Sequence, residues 1–166
     1  SAINAKARAD QQLLLDILSS EGFYDGKVNF SSKRDEAKDG DIQIEFRIRP
    51  DQRYRLGSIV FDAPADVTES LIRQNFPMKA GDPIVADDVV AAEAQISLAL
   101  PQNGYPFAQV GQRDILLDET LGTGDYTLPV TTGAKSYFGK VLTEGNPVFD
   151  AEHVAILRRF KAGDLY

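Results

Sequence analysis

Apolar residues recur at helical spacing over residues 4–21. Leu14, Ile17, Leu18 and the following Phe23 suit one buried face, and Leu13 and Leu15 widen it. Gly22 stands where a left-handed helix stop is wanted. The period then falls to two. Residues 27–33 predict a short strand with Val28 and Phe30 on one side, and Asp39-Gly40 is a hairpin signal. Residues 41–49 alternate: Ile42, Ile44, Phe46 and Ile48 are expected inward, Gln43, Glu45, Arg47 and Arg49 outward.

The pattern begins again after Pro50. Tyr54–Phe61 predicts a strand with Leu56, Ile59 and Phe61 apolar. Asp66 or Thr68 can cap a helix over about 67–76, with Val67, Leu71 and Ile72 inward and Pro77 beyond its end. Lys79–Pro83 reads as a tight corner. Asp87 opens a second helix to about 102, with Val89, Val90, Ile96 and Leu100 inward, and Gly104 stops it. Strands follow at 107–116 and 125–131, the latter carrying Tyr126, Leu128 and Val130, with Leu117–Gly124 as the loop between them. After Gly133-Ala134, Tyr137–Thr143 predicts another strand. Asp150 opens a last helix with Val154, Leu157 and Phe160, ending at Lys161–Asp164.

These elements repeat. Lys79-Ala80-Gly81-Asp82 recurs as Lys161-Ala162-Gly163-Asp164, and 161 − 79 = 82. Gly57 and Gly139, Gly22 and Gly104, and Val28 and Val110 keep the same offset. The chain is a tandem array of one α+β unit, ordered strand, helix, helix, strand, strand. Residues 54–136 hold a complete copy. Residues 1–53 hold the last three elements of a preceding copy, and residues 137–166 the first two of a following one.

That order, with a Gly-aromatic stop before the hairpin, resembles a POTRA (polypeptide-transport-associated) domain. The stretch Leu100–Val110 is similar to the exit from the second helix in that family. Tyr137-Phe138-Gly139, followed by Phe160–Asp164, resembles its hand-over into the next domain. Together these look most like the periplasmic part of a BamA/TamA-superfamily outer-membrane assembly protein, the TamA-like branch in particular. The resemblance implies a three-stranded mixed sheet with two helices on one face, and a location in the periplasm below a C-terminal outer-membrane β-barrel that this sequence lacks. It implies no enzymatic activity and no cofactor. The implied partners are an envelope assembly protein and unfolded outer-membrane or secreted polypeptides.

In the family's strand order the strand after the second helix lies at a sheet edge, here Gly26–Ser31 and Phe107–Gln112. An edge strand offers unpaired backbone groups to any extended chain. The expected binding edge is therefore Phe107, Ala108, Gln109, Val110, Gly111 and Gln112. The alternative within binding proteins is the POTRA array of a two-partner secretion transporter. The cut copies at the two ends also predict an association in which residues 137–166 of one molecule complete residues 1–53 of another.

Composition narrows the partners. With 18 basic and 25 acidic residues among 166, the net charge is −7, and no Lys/Arg run is present, so nucleic acid is not an expected partner. Arg47, Arg49, Arg53 and Arg55 alternate along one strand face; this is either a solvated face or a patch for an acidic partner. No continuous apolar stretch approaches the ~18 residues of a membrane span. No signal peptide is visible, and the start reads as a boundary inside a longer protein.

The sequence holds little that supports catalysis or metal binding. There is no cysteine, which excludes disulfides, thiol nucleophiles and Cys-ligated zinc. His153 is the one histidine and cannot build a metal cluster or a triad without distant partners. Asp35, Glu36, Asp39 and Asp41, and again Asp118, Glu119 and Asp125, fall in corresponding hairpin loops without the spacing of a calcium loop. Solvated turns are the better reading, and a hydrolase using Asp118, Glu119 and Asp125 is the rival.

Overall fold

The computed structural model describes residues 2–34, 42–65, 67, 69–142, 144, 156 and 158–166. Its elements are α1 (Ala2–Ser20), β1 (Lys27–Arg34), β2 (Ile42–Arg49), β3 (Arg55–Asp62), α2 (Glu69–Gln74), α3 (Ala86–Gln102), β4 (Gln109–Val110), β5 (Asp114–Asp118) and β6 (Thr123–Thr131). The expected Asp66 or Thr68 cap, the Asp39-Gly40 turn, and Asp150, Val154 and Leu157 of the last helix lie outside the described residues.

Both long helices end as their sequence demands. Gly22 adopts φ +91° and Gly104 φ +89°. At the first stop Phe23 N–H donates to Leu18 C=O (2.8 Å) and Gly22 N–H to Ser19 C=O (3.1 Å). At the second, Tyr105 N–H donates to Leu100 C=O (3.1 Å) and Gly104 N–H to Pro101 C=O (3.2 Å). These are paired Schellman motifs, and they consume carbonyls that the helix itself cannot satisfy.

Two sheets follow. β1 and β2 pair antiparallel over eight residues each, from Lys27↔Arg49 to Arg34↔Ile42. In the other sheet the order is β3-β6-β4, with β5 also on β6. β6 alternates cleanly, with Tyr126, Leu128 and Val130 buried.

The described residues gather into two compact units, one of residues 1–60, 78–91 and 113–127, the other of residues 61–77, 92–112 and 128–166. In the first, α1 packs on β1, and Gln11 donates its side-chain amide to Val28 C=O. Tyr54, Leu56, Ile84, Val89 and Tyr126 are its buried centre. The Tyr54 hydroxyl donates to Asp25 Oδ2 at 2.6 Å. That bond, together with burial, pushes the phenol above its usual pKa. In the second unit Val67, Ile72, Phe76, Ile96, Leu100 and Leu128 are buried. Phe61 meets Phe76 edge to face at 5.3 Å.

Each unit contains one backbone junction, at Tyr54 in the first and Ser136 in the second, and the two match bond for bond at the 82-residue offset. Tyr54 N–H donates to Gly22 C=O (2.8 Å) and Ile84 N–H to Tyr54 C=O (3.1 Å); Ser136 N–H donates to Gly104 C=O (2.8 Å) and Tyr166 N–H to Ser136 C=O (3.1 Å). The repeated Lys-Ala-Gly-Asp corner explains itself here. Asp82 Oδ2 caps Lys79 N–H at 2.9 Å, and Asp164 Oδ2 caps Lys161 N–H at 2.6 Å. Gly81 N–H then reaches Leu56 C=O (2.8 Å), and Gly163 N–H reaches Phe138 C=O (2.8 Å). A cation sits over an aromatic ring at both sites: Arg53 over Phe23 at 5.4 Å, Lys135 over Tyr105 at 5.7 Å. The buried aliphatic positions Leu56, Met78 and Ile84 become Phe138, Phe160 and Tyr166, with Phe138 stacked on Phe160 at 3.9 Å and on Tyr166 at 5.0 Å.

Several expectations need correction. The strand foreseen at 107–116 is two segments, β4 and β5. The loop foreseen at 117–124 shrinks to the turn between Asp118 and Thr123. At Tyr137–Thr143 the described residues show a single bridge, Tyr137↔Leu165, in place of a strand. Val90 is 52% exposed, and the helix face around Leu13 and Ile17 (59% and 50%) is largely bare. Ile42 and Ile48 are also exposed, although their alternation marks them as core-facing.

Candidate protein-interaction edges

Phe107–Gln112 runs from the end of α3 into the strand beside β6. Only Gln109 and Val110 are strand, opposite Thr131 and Val130. Phe107 is 75% exposed. Between Val110↔Val130 and Asp114↔Thr127 the edge side has three residues and β6 has two, so the register moves by one. This is a β-bulge. It also accounts for a proline within a central strand. Gly111 N–H donates to Pro129 C=O at 2.8 Å, and Pro129 has no N–H to return. Pairing is therefore incomplete at that point, and the bulge sits beside it.

Ladder parity tells which groups face out. Gly111 bonds inward to β6, so Val110 and Gln112 turn their N–H and C=O away from it. Ala108 N–H is taken by Tyr105 C=O (3.1 Å). Among the six expected residues, Val110 and Gln112 thus offer both N–H and C=O outward.

β1 occupies the equivalent edge of the first copy and is more regular. All eight of its residues pair with β2, with no shift of register. The Val28 carbonyl turns away from β2 to Gln11. By the same parity Phe30, Ser32 and Arg34 also face out.

The arginine stripe does not form one surface. Arg53 donates to Glu21 C=O (2.7 Å) and to its carboxylate (3.1 Å). Arg55 donates to Gly81 C=O (2.9 Å). Arg47 and Arg49 remain on the exposed face of β2.

The loop carboxylates are engaged in turns. Asp118 Oδ1 accepts from Thr120 N–H (2.9 Å) and Leu121 N–H (3.0 Å), an Asx turn. Asp125 Oδ1 accepts from Ser58 N–H (2.7 Å) and Ser58 Oγ–H (2.8 Å). These bonds hold its carboxyl below the usual aspartate pKa. A Cβ on Gly57 would lie 2.5 Å from that oxygen, so the landmark glycine makes room for the clasp. Sequence reasoning treated Asp125 as a solvated turn residue; its clasp on Ser58 joins residues 67 apart and leaves no local signal. His153, Asp35, Glu36, Asp39 and Asp41 lie outside the described residues. Among the described residues no group of three His, Asp or Glu side chains is placed to hold a metal, and no helix is long and apolar enough to cross a membrane.

A strand-helix-helix-strand-strand unit repeated in tandem, with edge strands following the second helix, defines an α+β fold of the POTRA class. No protein-family description matches the chain, and no curated protein matches it. Solved structures do. The crystal structure of Haemophilus influenzae BamA POTRA3-5 aligns over 96% of this chain and 63% of its own, with TM-score 0.53 and 19% identity. That of BamA from Haemophilus ducreyi lacking POTRA domains 1-3 aligns over 77% of this chain and 23% of its own, with TM-score 0.51 and 16% identity. The likeness is one of fold: this chain has the βααββ architecture of POTRA domains, and it spans less than two thirds of the first of these structures.

Proposed function

We propose that the chain is a periplasmic interaction module of an outer-membrane protein assembly or autotransporter-secretion factor. It binds partner subunits or unfolded polypeptide by adding a strand to its sheet edges. The copy boundaries at 53/54 and 136/137 are part of this proposal, as is the absence of an enzymatic role. The reading is supported by the recurrence of one edge geometry in two copies: β1 and β4 each follow a glycine-stopped helix and turn backbone groups outward. Main-chain pairing recognises extension more than side chains, which suits a factor with many clients.

The test is a proline scan over Ala108–Gln112, and parity singles out two positions in it. Val110→Pro and Gln112→Pro remove outward N–H groups and leave the bonds to β6 intact. Each is expected to weaken binding of an unfolded outer-membrane polypeptide about threefold to tenfold, with unchanged circular dichroism. Undiminished binding by the folded double variant would remove this edge from the site.

Head-to-tail association belongs to the same proposal. Among the described residues β2 pairs only with β1, whereas its equivalent β6 has strands on both sides. The strand equivalent to β3 would be residues 137–144 of a second molecule, since 137 − 55 = 82. Light scattering is expected to show mass rising with concentration; a strict monomer at high concentration rejects it.

A further inference from the structure

β1 carries a chemical preference that its backbone alone would not give. On one face of the hairpin the register sets Lys27 across from Arg49, Asn29 across from Arg47, and Lys33 across from Gln43. All six side chains are exposed. Glu45 is the one carboxylate in the two strands, and it is used: its Oε1 accepts from Arg47 Nε at 2.9 Å. That hydrogen bond and the Arg47 charge, with a lesser effect of Lys33, hold the Glu45 carboxyl below its usual pKa. Lys27 and Arg49 make no ion pair with a described residue. They are like charges directly opposite one another, an arrangement that costs stability in a sheet, and they form the pair farthest from the connection between the strands. In a chain of net charge −7 the two strands thus carry five cationic residues against one carboxylate; Lys38 and the carboxylates Asp35, Glu36, Asp39 and Asp41 belong to the connection at the opposite end from Lys27 and Arg49.

The other face is apolar over Val28, Phe30 and the β2 residues Ile42, Ile44, Phe46 and Ile48, with Ser32 and Arg34 toward the connection. Phe30 and Phe46 meet across the strands at 6.1 Å, and Ile44 and Phe46 are half-buried. A depression of about 370 Å³ opens beside β1, lined by Asn29, Phe30, Ser31, Lys33 and Arg47, so it touches both faces at the edge.

The geometry points to an extended polypeptide segment with carboxylates at every second position and apolar residues between them as the preferred guest of β1. This rests on the strand-addition reading above and adds the side-chain class to it. A strand laid along Phe30 and Ser32 places alternate side chains on opposite faces. Its carboxylates lie directly beside Lys27 and Lys33, with Arg47 and Arg49 one strand further across the same face, and offset the Lys27–Arg49 repulsion. Its apolar residues continue the Phe30–Phe46 face.

The experiment uses the full chain and two labelled ten-residue peptides, one alternating aspartate and valine, the other alternating serine and valine, followed by fluorescence anisotropy at low and moderate salt. The aspartate peptide is expected to bind about tenfold more tightly at low salt, and the advantage shrinks as salt rises. Lys27→Glu with Arg49→Glu, two exposed positions, removes the advantage while the serine peptide binds as before. Ser32→Pro deletes an outward N–H and weakens both peptides. Equal binding of the two peptides, both lost in Ser32→Pro, overturns the acidic preference and leaves strand addition standing. Binding of the aspartate peptide that is lost in the double reversal but indifferent to Ser32→Pro keeps the basic face as an acidic docking surface and overturns strand addition at β1. Flotation with anionic phospholipid vesicles, abolished by the double reversal, without peptide binding, overturns the proposal in favour of a lipid headgroup.

Discussion

Replacing Gly22 by alanine lowers the stability of the chain by roughly 2–3 kcal/mol, read from the urea midpoint. Gly22 holds φ +91°, a region an L-residue enters at a cost of about 1–2 kcal/mol. The added Cβ would lie 2.8 Å from Ile84 C=O and 3.3 Å from Tyr54 C=O. Both are backbone atoms and cannot swing aside as a side chain would. The Tyr54 carbonyl also accepts from Ile84 N–H, so any shift that relieves the clash strains the junction. Gly81 is the internal control. It has the same φ of +91° and no atom within 4 Å of its Cβ position. Gly81→Ala is expected to cost only the conformational part, about 1–2 kcal/mol. Equal losses at the two positions would mean that the close approach at the junction contributes nothing.

Features set by local chemistry were legible in the sequence. Gly22 and Gly104 announce helix stops because a left-handed C-terminal residue favours glycine, and both stops form as expected. The Lys-Ala-Gly-Asp corner repeats because one hydrogen-bond set needs a carboxylate three residues after the N–H it caps and a glycine between them. The alternation of β6 gave its buried face correctly.

What depends on distant partners was not legible. The bulge between β4 and β5 lies opposite Pro129 of the partner strand, and within 107–116 only Gly111 hints at it. Alternation at Ile42–Ile48 states which side wants cover, not whether cover is present, so Ile42 and Ile48 were expected inward and are exposed. The same limit applies to the site. An arginine stripe could be read along β2 and beyond, but strand register brought Lys27 opposite Arg49, and tertiary contacts withdrew Arg53 and Arg55. Strand order decides which backbone groups face out, and that order is a property of the assembled sheet.

Ile96→Ala and Leu14→Ala probe what a missing cover costs, because the two positions are equivalent at the repeat offset (96 − 14 = 82). Ile96 is 0% exposed, so its truncation removes a fully buried side chain and is expected to destabilise by about 3–4 kcal/mol. Leu14 is half-buried on α1, and the transfer part of its loss scales with the area it hides, about 1–2 kcal/mol. Chemical denaturation of both variants at low protein concentration reads the difference. The inequality follows from cover alone, since the two helices share their stop motif and face. If the Leu14→Ala loss rises toward that of Ile96→Ala as protein concentration is raised, a second molecule is covering α1, and its bare face is an assembly surface. If the two losses are equal even at high dilution, the α1 face is already covered within one molecule in solution.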